Sequence, residues 1–548
     1  MKRSRILDYI LLASLVSFIT IQPHFMHGAI NFYETGLYLP SISQLFHGAI
    51  PYKDMFVMRG PLEILMPAFL MSVLGKHIGV LNAYFYFGTV LTLIIYAFFA
   101  LRIFNTRGFA YLFTMVLTAR TFPRVTFNMW GGIRFGLGIL ALLLAVNFLR
   151  KKRKTWLLMA GIVSGLAFWT SFEIGTFSFV AIFAMLGFLG YFEKDVKVFA
   201  KGLFTYALGS FLVFIPFLLY LLLNKAFLSY SSTLKVVLTG MTDVFDASLS
   251  FETPRNFKEF LFALSPLNHS FKYTLPFLFY LSIGVYQLRR ILRKNFSIKD
   301  LSITPLFIYG VFLYQGSFRD IEGPQYRMAL QPVLLIMFFY LERLYVHVKN
   351  MKYANGFKKA VAFFFIIMVP FYSVMFSLYK YNKRFFIFRE IKSYVKDKRP
   401  LDIPYAGPEP RAITSIRAKG VIVPMHQAEE IDGVVEYIIS NTKRDDTVFT
   451  FPDMGTYNFL TDRPPLGKFY AAELSFFHPE WFEEMMTELR GKRPEFVICA
   501  KYLSRLEQFR PTVGAYIDEV MEFLDNNYEI AREYDKVNVL KLKEDAGY

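Results

Sequence analysis

Carboxylates placed close to lipid are costly unless they have a task, so where they are few each can be weighed singly. Residues 1–380 of this 548-residue chain carry only 15 acidic side chains against 37 basic ones. One stretch gathers several groups able to do chemistry. It reads Asn31-Phe32-Tyr33-Glu34-Thr35-Gly36-Leu37-Tyr38, then His47-Gly48-Ala49-Ile50-Pro51-Tyr52-Lys53-Asp54, then Met58-Arg59-Gly60-Pro61-Leu62. A carboxylate partly desolvated at an interface serves as a proton acceptor. A guanidinium suits phosphate, because it donates in a planar fork and stays charged. His24, His27 and His47 lie in or near the same stretch, and imidazole with carboxylate is an acceptable metal ligand set. Their spacing matches no known metal motif, so polar loop histidines are the plainer reading.

The elements that must position these groups are membrane helices. Apolar residues make up 54% of the chain and charged ones 19%, below the roughly 25% of an ordinary soluble domain. This excludes a disordered chain, and Cys499, the only cysteine, excludes a disulfide scaffold. Residues 1–380 have a net charge of +22 and residues 381–548 of −4. The basic excess sits with the apolar part, which points to membrane topology rather than nucleic acid.

Lys2, Arg3, Arg5, Arg150–Lys154 and the 289–299 cluster mark the inner side. Spans are expected at residues 6–22, 79–101, 108–120, 130–149, 155–170, 174–191, 202–223, 272–288, 301–316, 327–345 and 359–379, about eleven in all. Pro61 to Gly75, short and containing Glu63 and Pro67, is expected to lie along the outer leaflet instead. Residues 23–78 then form one large outer loop, and 224–271 a second long one. Leu37, Leu39, Ile42, Leu45 and Phe46 predict a short amphipathic surface helix, stopped by Gly48 and Pro51.

This arrangement resembles the first periplasmic loop of the GT-C glycosyltransferases: an acid, a Gly, a Tyr, a surface helix ending in Gly, Pro-Tyr-x-Asp, then a basic residue before Pro-Leu. Within that superfamily it is similar to the protein mannosyltransferases and aminoarabinose transferases. The resemblance covers the chain architecturally, while its motifs occupy about 30 residues. It implies transfer of a sugar from a polyprenyl-phosphate donor to a glycan, lipid or protein acceptor at the extracytoplasmic face of the plasma (inner) membrane. Glu34 takes the place of the family's Asp and becomes the general base that removes the acceptor hydroxyl proton. Arg59 takes the place of the basic residue that contacts the donor phosphate. This chain departs from the pattern in having no second acid beside Glu34 and no carboxylate in the 121–129 loop. No resident metal is assigned, and a divalent ion is left open.

Arginines on the outer side run against the positive-inside tendency. Arg120, Arg124 and Arg134 flank one outer loop, and Arg319 and Arg327 another. Arg120, Arg124 and Arg327 are taken with Arg59 as donor-phosphate ligands; the plainer reading of each is a headgroup contact. Tyr38, Tyr52, Asp54 and Glu173 are the candidate substrate contacts. For Asp54 the alternative is a capped turn after Pro51, and for Glu173 an interfacial residue.

Residues 381–420 read as a linker and 421–548 as an extracytoplasmic α/β domain. Helices are expected at 428–441, 480–490 and 515–527, with strands at 447–451, 495–499 and 537–542. No Gly-rich phosphate loop, zinc spacing or nucleophile elbow occurs there. The domain is expected to shape the site or contact the acceptor. The whole is thus a polytopic α-helical membrane protein with a C-terminal α/β domain. A flippase for a lipid-linked glycan and a non-catalytic envelope scaffold are the rival classes; the absence of an internal repeat argues against the first.

Overall fold

The computed structural model describes residues 2–22, 25–27, 30–121, 132–239, 271–293, 296–317, 324–350, 409–503 and 506–544, with part of 356–368. The chain divides into two compact units. The first comprises Met1–Pro23, Phe85–Phe214 and Phe251–Leu401, and the second His24–Tyr84, Ile215–Ser250 and Asp402–Tyr548.

The first unit is helical, and two of the helices that follow, Ile78–Ile103 and Val196–Leu223, each have one end in the second unit. Each expected span from 6–22 through 327–345 is a helix: Lys2–Thr20, Ile78–Ile103, Arg107–Thr121, Ile133–Lys151, Lys154–Thr170, Phe172–Glu193, Val196–Leu223, Phe271–Leu292, Ile298–Gly316 and Gln331–Asn350. The last, 359–379, lies mostly outside the described residues. Among the described residues six helices are long and apolar enough to cross a membrane, and Pro61–Leu74 is a shorter apolar helix. Phe204, Phe211, Leu212, Leu219 and Leu223 stay exposed on one of the six, the surface that lipid would cover.

Helices in this unit approach closely where side chains are smallest. A Cβ at Gly161 would collide with the Tyr206 carbonyl oxygen, and one at Gly209 with that of Leu158, so these glycines permit the crossing. Buried charges are paired. Asp300 closes a capping box with Ser297 and accepts from Arg343 at 2.8 Å and Arg290 at 3.1 Å. That joins three helices through one carboxylate. Glu342, fully buried, accepts the backbone amides of Asn105 and Thr106.

The second unit is built on a four-stranded sheet. A short pair, β1 (Pro410–Ala412) and β2 (Ile422–Pro424), comes first and is antiparallel. β3 (Val448–Phe451), β4 (Phe496–Ala500), β5 (Tyr528–Glu533) and β6 (Val537–Leu542) follow, in the order β3-β4-β6-β5. β3 and β4 are parallel; the other pairings are antiparallel. Side chains alternate along a strand. Phe449, Phe451, Val497 and Cys499 therefore point into one core, filled by Trp481, Phe482, Met485, Met486 and Leu489 of helix Pro479–Lys492 and by Val513, Ile517, Val520 and Leu524 of helix Arg510–Asn527. Phe496 points to the other face, where Tyr437 of helix Met425–Asn441 packs edge-on against it.

The expected helices and strands of the C-terminal region are thus present. The sequence reading left out β5, the β1–β2 pair and the short helix Thr456–Thr461. Cys499 is buried in β4, and burial pushes its thiol up to about 12, which leaves it a packing residue. The first-loop residue Phe56 belongs to the same core as β3 and β4.

Candidate functional site

The first loop is threaded through the second unit by a series of fixed contacts. Helix Phe32–Gly36 carries Glu34, whose side chain lies outside the described part of the structure. Next to it, Thr35 Oγ1 is 2.6 Å from Thr456 Oγ1. Helix Leu39–Phe46 begins with Pro40 in its first turn, where a missing N–H costs nothing. From that helix Gln44 donates to the Gly467 carbonyl at 2.7 Å.

Beyond Gly48, at φ +88°, the chain turns sharply over Pro51–Met55. Tyr52 takes a φ of +67° there, an uncommon conformation for a bulky residue. Its ring is fully buried, edge-on to Tyr230 at 5.1 Å, and its hydroxyl has no hydrogen-bond partner among the described residues. Burial pushes the Tyr52 phenol well up, with Tyr230 and Glu63 adding to the effect. Asp54 is exposed and accepts the Ile50 amide at 3.0 Å, so it caps the turn. The Phe56 amide then donates to the Lys468 carbonyl at 2.9 Å, and the Phe56 ring sits 5.7 Å from Phe469 and 5.2 Å from Trp481.

These contacts deliver Arg59 to the start of helix Pro61–Leu74. Extended Gly60 and Pro61 start the helix, and Glu63 falls in its first turn, where a carboxylate suits the helix dipole. The spacing of four residues lets Arg59 Nη1 donate to Glu63 Oε1 at 3.0 Å. The same Nη1 donates to the Tyr38 hydroxyl at 2.7 Å, and that hydroxyl donates to Glu63 Oε1 at 3.2 Å. The side chains are 19% exposed for Arg59 and 8% for Glu63, so the ion pair is largely withdrawn from water. Leu37, Tyr38, Val57–Gly60, Glu63, Ile64 and Tyr470 line a small, partly open cleft around it. Tyr470 comes from the segment after β3. Burial raises its phenol, Tyr38 and Glu63 add to the shift, and Arg59 opposes it.

Of the residues proposed from sequence, the structure brings Tyr38 and Arg59 together. Tyr52 packs instead against Tyr230, and Asp54 lies on an exposed turn. Glu173, half-buried in the first turn of helix Phe172–Glu193, belongs to the first unit, as do exposed Arg120 and half-buried Arg327. Arg124 and Arg319 lie outside the described residues, and so does His24. The Nδ1 of His27 is 2.8 Å from the Gly420 carbonyl, and that of His47 is 2.8 Å from the Ser43 carbonyl. Among the described residues no three His, Cys, Asp or Glu side chains converge as a metal site would require.

Glu63 and Tyr470 were missed. For Glu63 a signal existed, the four-residue spacing from Arg59, but an acid in a first helical turn has a sufficient local explanation. Tyr470 lies over 400 positions from its neighbours and carried no signal. A second charged cluster surrounds Asp462, which is paired with Arg417 and, at 3.0 Å, with Arg444, with His47 Nε2 3.7 Å away. Burial lowers Arg417 and Lys76, and their mutual repulsion adds to the Lys76 shift. Near the Glu34 helix, Asp453 gives its amide to Glu473 at 2.7 Å, and its carbonyl oxygen would lie 3.6 Å from a Cβ on Gly36. Burial, then the Asp453 charge, pushes Glu473 up to about 8.

No protein-family model and no curated protein sequence matches the chain. Solved structures do. ArnT from Cupriavidus metallidurans bound to undecaprenyl phosphate aligns over 100% of this chain and 99% of its own, with a TM-score of 0.50 and 11% identity. The same protein in the apo state aligns over 98% of each chain, with a TM-score of 0.51 and 12% identity. The Archaeoglobus fulgidus oligosaccharyltransferase, tethered to an acceptor peptide, aligns over 96% of this chain and 72% of its own, with a TM-score of 0.51 and 12% identity. The fold is therefore the GT-C fold that the first loop suggested: a helical membrane body with a C-terminal α/β region.

Proposed function

We propose that the protein is a membrane glycosyltransferase that moves a sugar from a polyprenyl-phosphate donor to an acceptor hydroxyl outside the cytoplasm. The observation that carries this reading is the Arg59 guanidinium, fixed by Glu63 and Tyr38 beside a cleft. It occurs in a chain whose fold matches, end to end, a structure holding undecaprenyl phosphate.

In this reading the donor phosphate binds at Arg59, and Arg120, Arg124 and Arg327 stay further candidate phosphate ligands on the strength of the sequence. Glu34 accepts the proton of the acceptor hydroxyl. The acceptor oxygen attacks the anomeric carbon from the side opposite the phosphate and forms the new glycosidic bond. The bond from that carbon to the phosphate oxygen breaks, and the electron pair leaves with polyprenyl phosphate, so configuration inverts. Positive charge held in place before the reaction favours the departing phosphate, because it need not reorganise as charge develops. Asp54 and Glu173 are left to acceptor positioning at most, and the plasma membrane is the expected location.

Glu34→Gln tests the assignment. Sugar transfer is expected to fall by orders of magnitude while undecaprenyl phosphate still binds; near-normal transfer would remove Glu34 from the role of base.

A further inference from the structure

The cleft beside Arg59 contains a polar group that the proposed phosphate contact does not use. Tyr470 is only 3% exposed, yet it lines the cleft, and its hydroxyl has no hydrogen bond among the described residues. A phenol that opens on a cleft is available to a ligand, because it can both donate and accept.

Its placement is also firmly determined. The preceding residues are held from two sides: the Lys468 carbonyl accepts the Phe56 amide, and Phe469 packs on Phe56 and Trp481. The Gly467 carbonyl accepts from Gln44. Neighbouring Tyr38 already gives its proton to Glu63 and accepts from Arg59. Tyr470 is thus the rigidly held hydroxyl in this cleft with bonding capacity to spare.

We propose that Tyr470 is a specificity-determining residue: its hydroxyl binds a ring hydroxyl of the sugar carried by the donor, beside the phosphate on Arg59. This rests on the glycosyltransferase reading above. The sugar is joined to the phosphate through a single bridging oxygen, so its nearest hydroxyls must fall in the space bordering the phosphate site. The cleft is narrow, and it suits one hydroxyl rather than a whole ring. The C-terminal residues thereby help choose the sugar instead of serving only as an outer cover.

The test compares full-length wild type with Tyr470→Phe, which keeps the ring and its packing. Binding is measured for undecaprenyl phosphate alone and for undecaprenyl phosphate bearing glucose, galactose, mannose, N-acetylglucosamine or 4-amino-4-deoxyarabinose. Wild type should prefer one glycosylated lipid over the bare one. Tyr470→Phe should weaken that preferred lipid about fivefold to tenfold, the loss of one hydrogen bond, while the bare lipid changes less than twofold. A monodeoxy form of the preferred sugar should bind both proteins equally. Equal loss for bare and glycosylated lipids, or no loss for either, would overturn the role and leave Tyr470 facing solvent water only. Failure of wild type to bind any of these lipids would instead overturn the glycosyltransferase reading itself.

Discussion

Replacing Glu63 by Gln should tighten the binding of a lipid phosphate. Glu63 Oε1 accepts from Arg59 at 3.0 Å and from Tyr38 at 3.2 Å, and the Gln carbonyl can keep both bonds in the same geometry. What changes is charge. A phosphate drawn to Arg59 must share the guanidinium with a carboxylate lying about 6 Å away, and the repulsion at an effective dielectric of about 20 is roughly 3 kcal/mol. Arg59 is 19% exposed, so solvent screening reduces this to about 1–1.5 kcal/mol, or about tenfold in Kd. Titration of full-length protein with undecaprenyl phosphate would read the effect. Glu63→Gln should bind about tenfold more tightly, and Arg59→Met should abolish the gain in the double variant. Glu63→Ala should gain less, because the guanidinium loses a fixed contact. Equal or weaker binding by Glu63→Gln would refute the claim that Arg59 faces the phosphate with Glu63 as its competitor.

Three other outcomes follow from the same geometry. Tyr52→Phe removes a buried hydroxyl that has no partner among the described residues, so thermal stability should hold or rise by about 1 kcal/mol; a clear loss would mean that the hydroxyl is bonded. Phe56→Ala should cost about 3–5 kcal/mol, because the ring is 1% exposed between Phe469 and Trp481; an unchanged unfolding midpoint followed by Trp fluorescence would contradict the packing. Glu473 is held protonated in the folded chain up to about 8. The folded state therefore binds more protons than the unfolded one above the ordinary glutamate range, and stability falls as pH rises through about 8. Glu473→Gln should flatten that fall in thermal midpoints taken from pH 5 to 9, whereas parallel wild-type and variant curves would show that Glu473 does not titrate there.

The membrane helices were legible because a span is a long, local, apolar signal bounded by basic clusters. The C-terminal strands were legible where they are buried on both faces, as with Val448–Phe451 and Phe496–Ala500. β5 was not: only Tyr528 in it is buried, and its remaining residues are mostly exposed and charged. Tyr38 and Arg59 could be singled out because they lie in one loop, where the resemblance to the first periplasmic loop pointed to them. Tyr470 could not, since its part in the cleft depends on Phe56 and Gln44 docking onto Gly467–Phe469, and such long-range pairing leaves no periodicity. Arg120 and Arg327, singled out with Arg59 for a shared side of the membrane, lie in the first unit, whereas Arg59 lies in the second.

The central claim is that a sugar leaves a polyprenyl phosphate at the Arg59 cleft. Mass spectrometry of lipid-linked sugars in cells lacking the gene examines it most directly. One glycosylated polyprenyl phosphate should accumulate, should disappear on complementation with the wild-type gene, and should persist with Arg59→Met or Glu34→Gln. An unchanged lipid-linked sugar profile on deletion, or full restoration by both variants, would contradict the account.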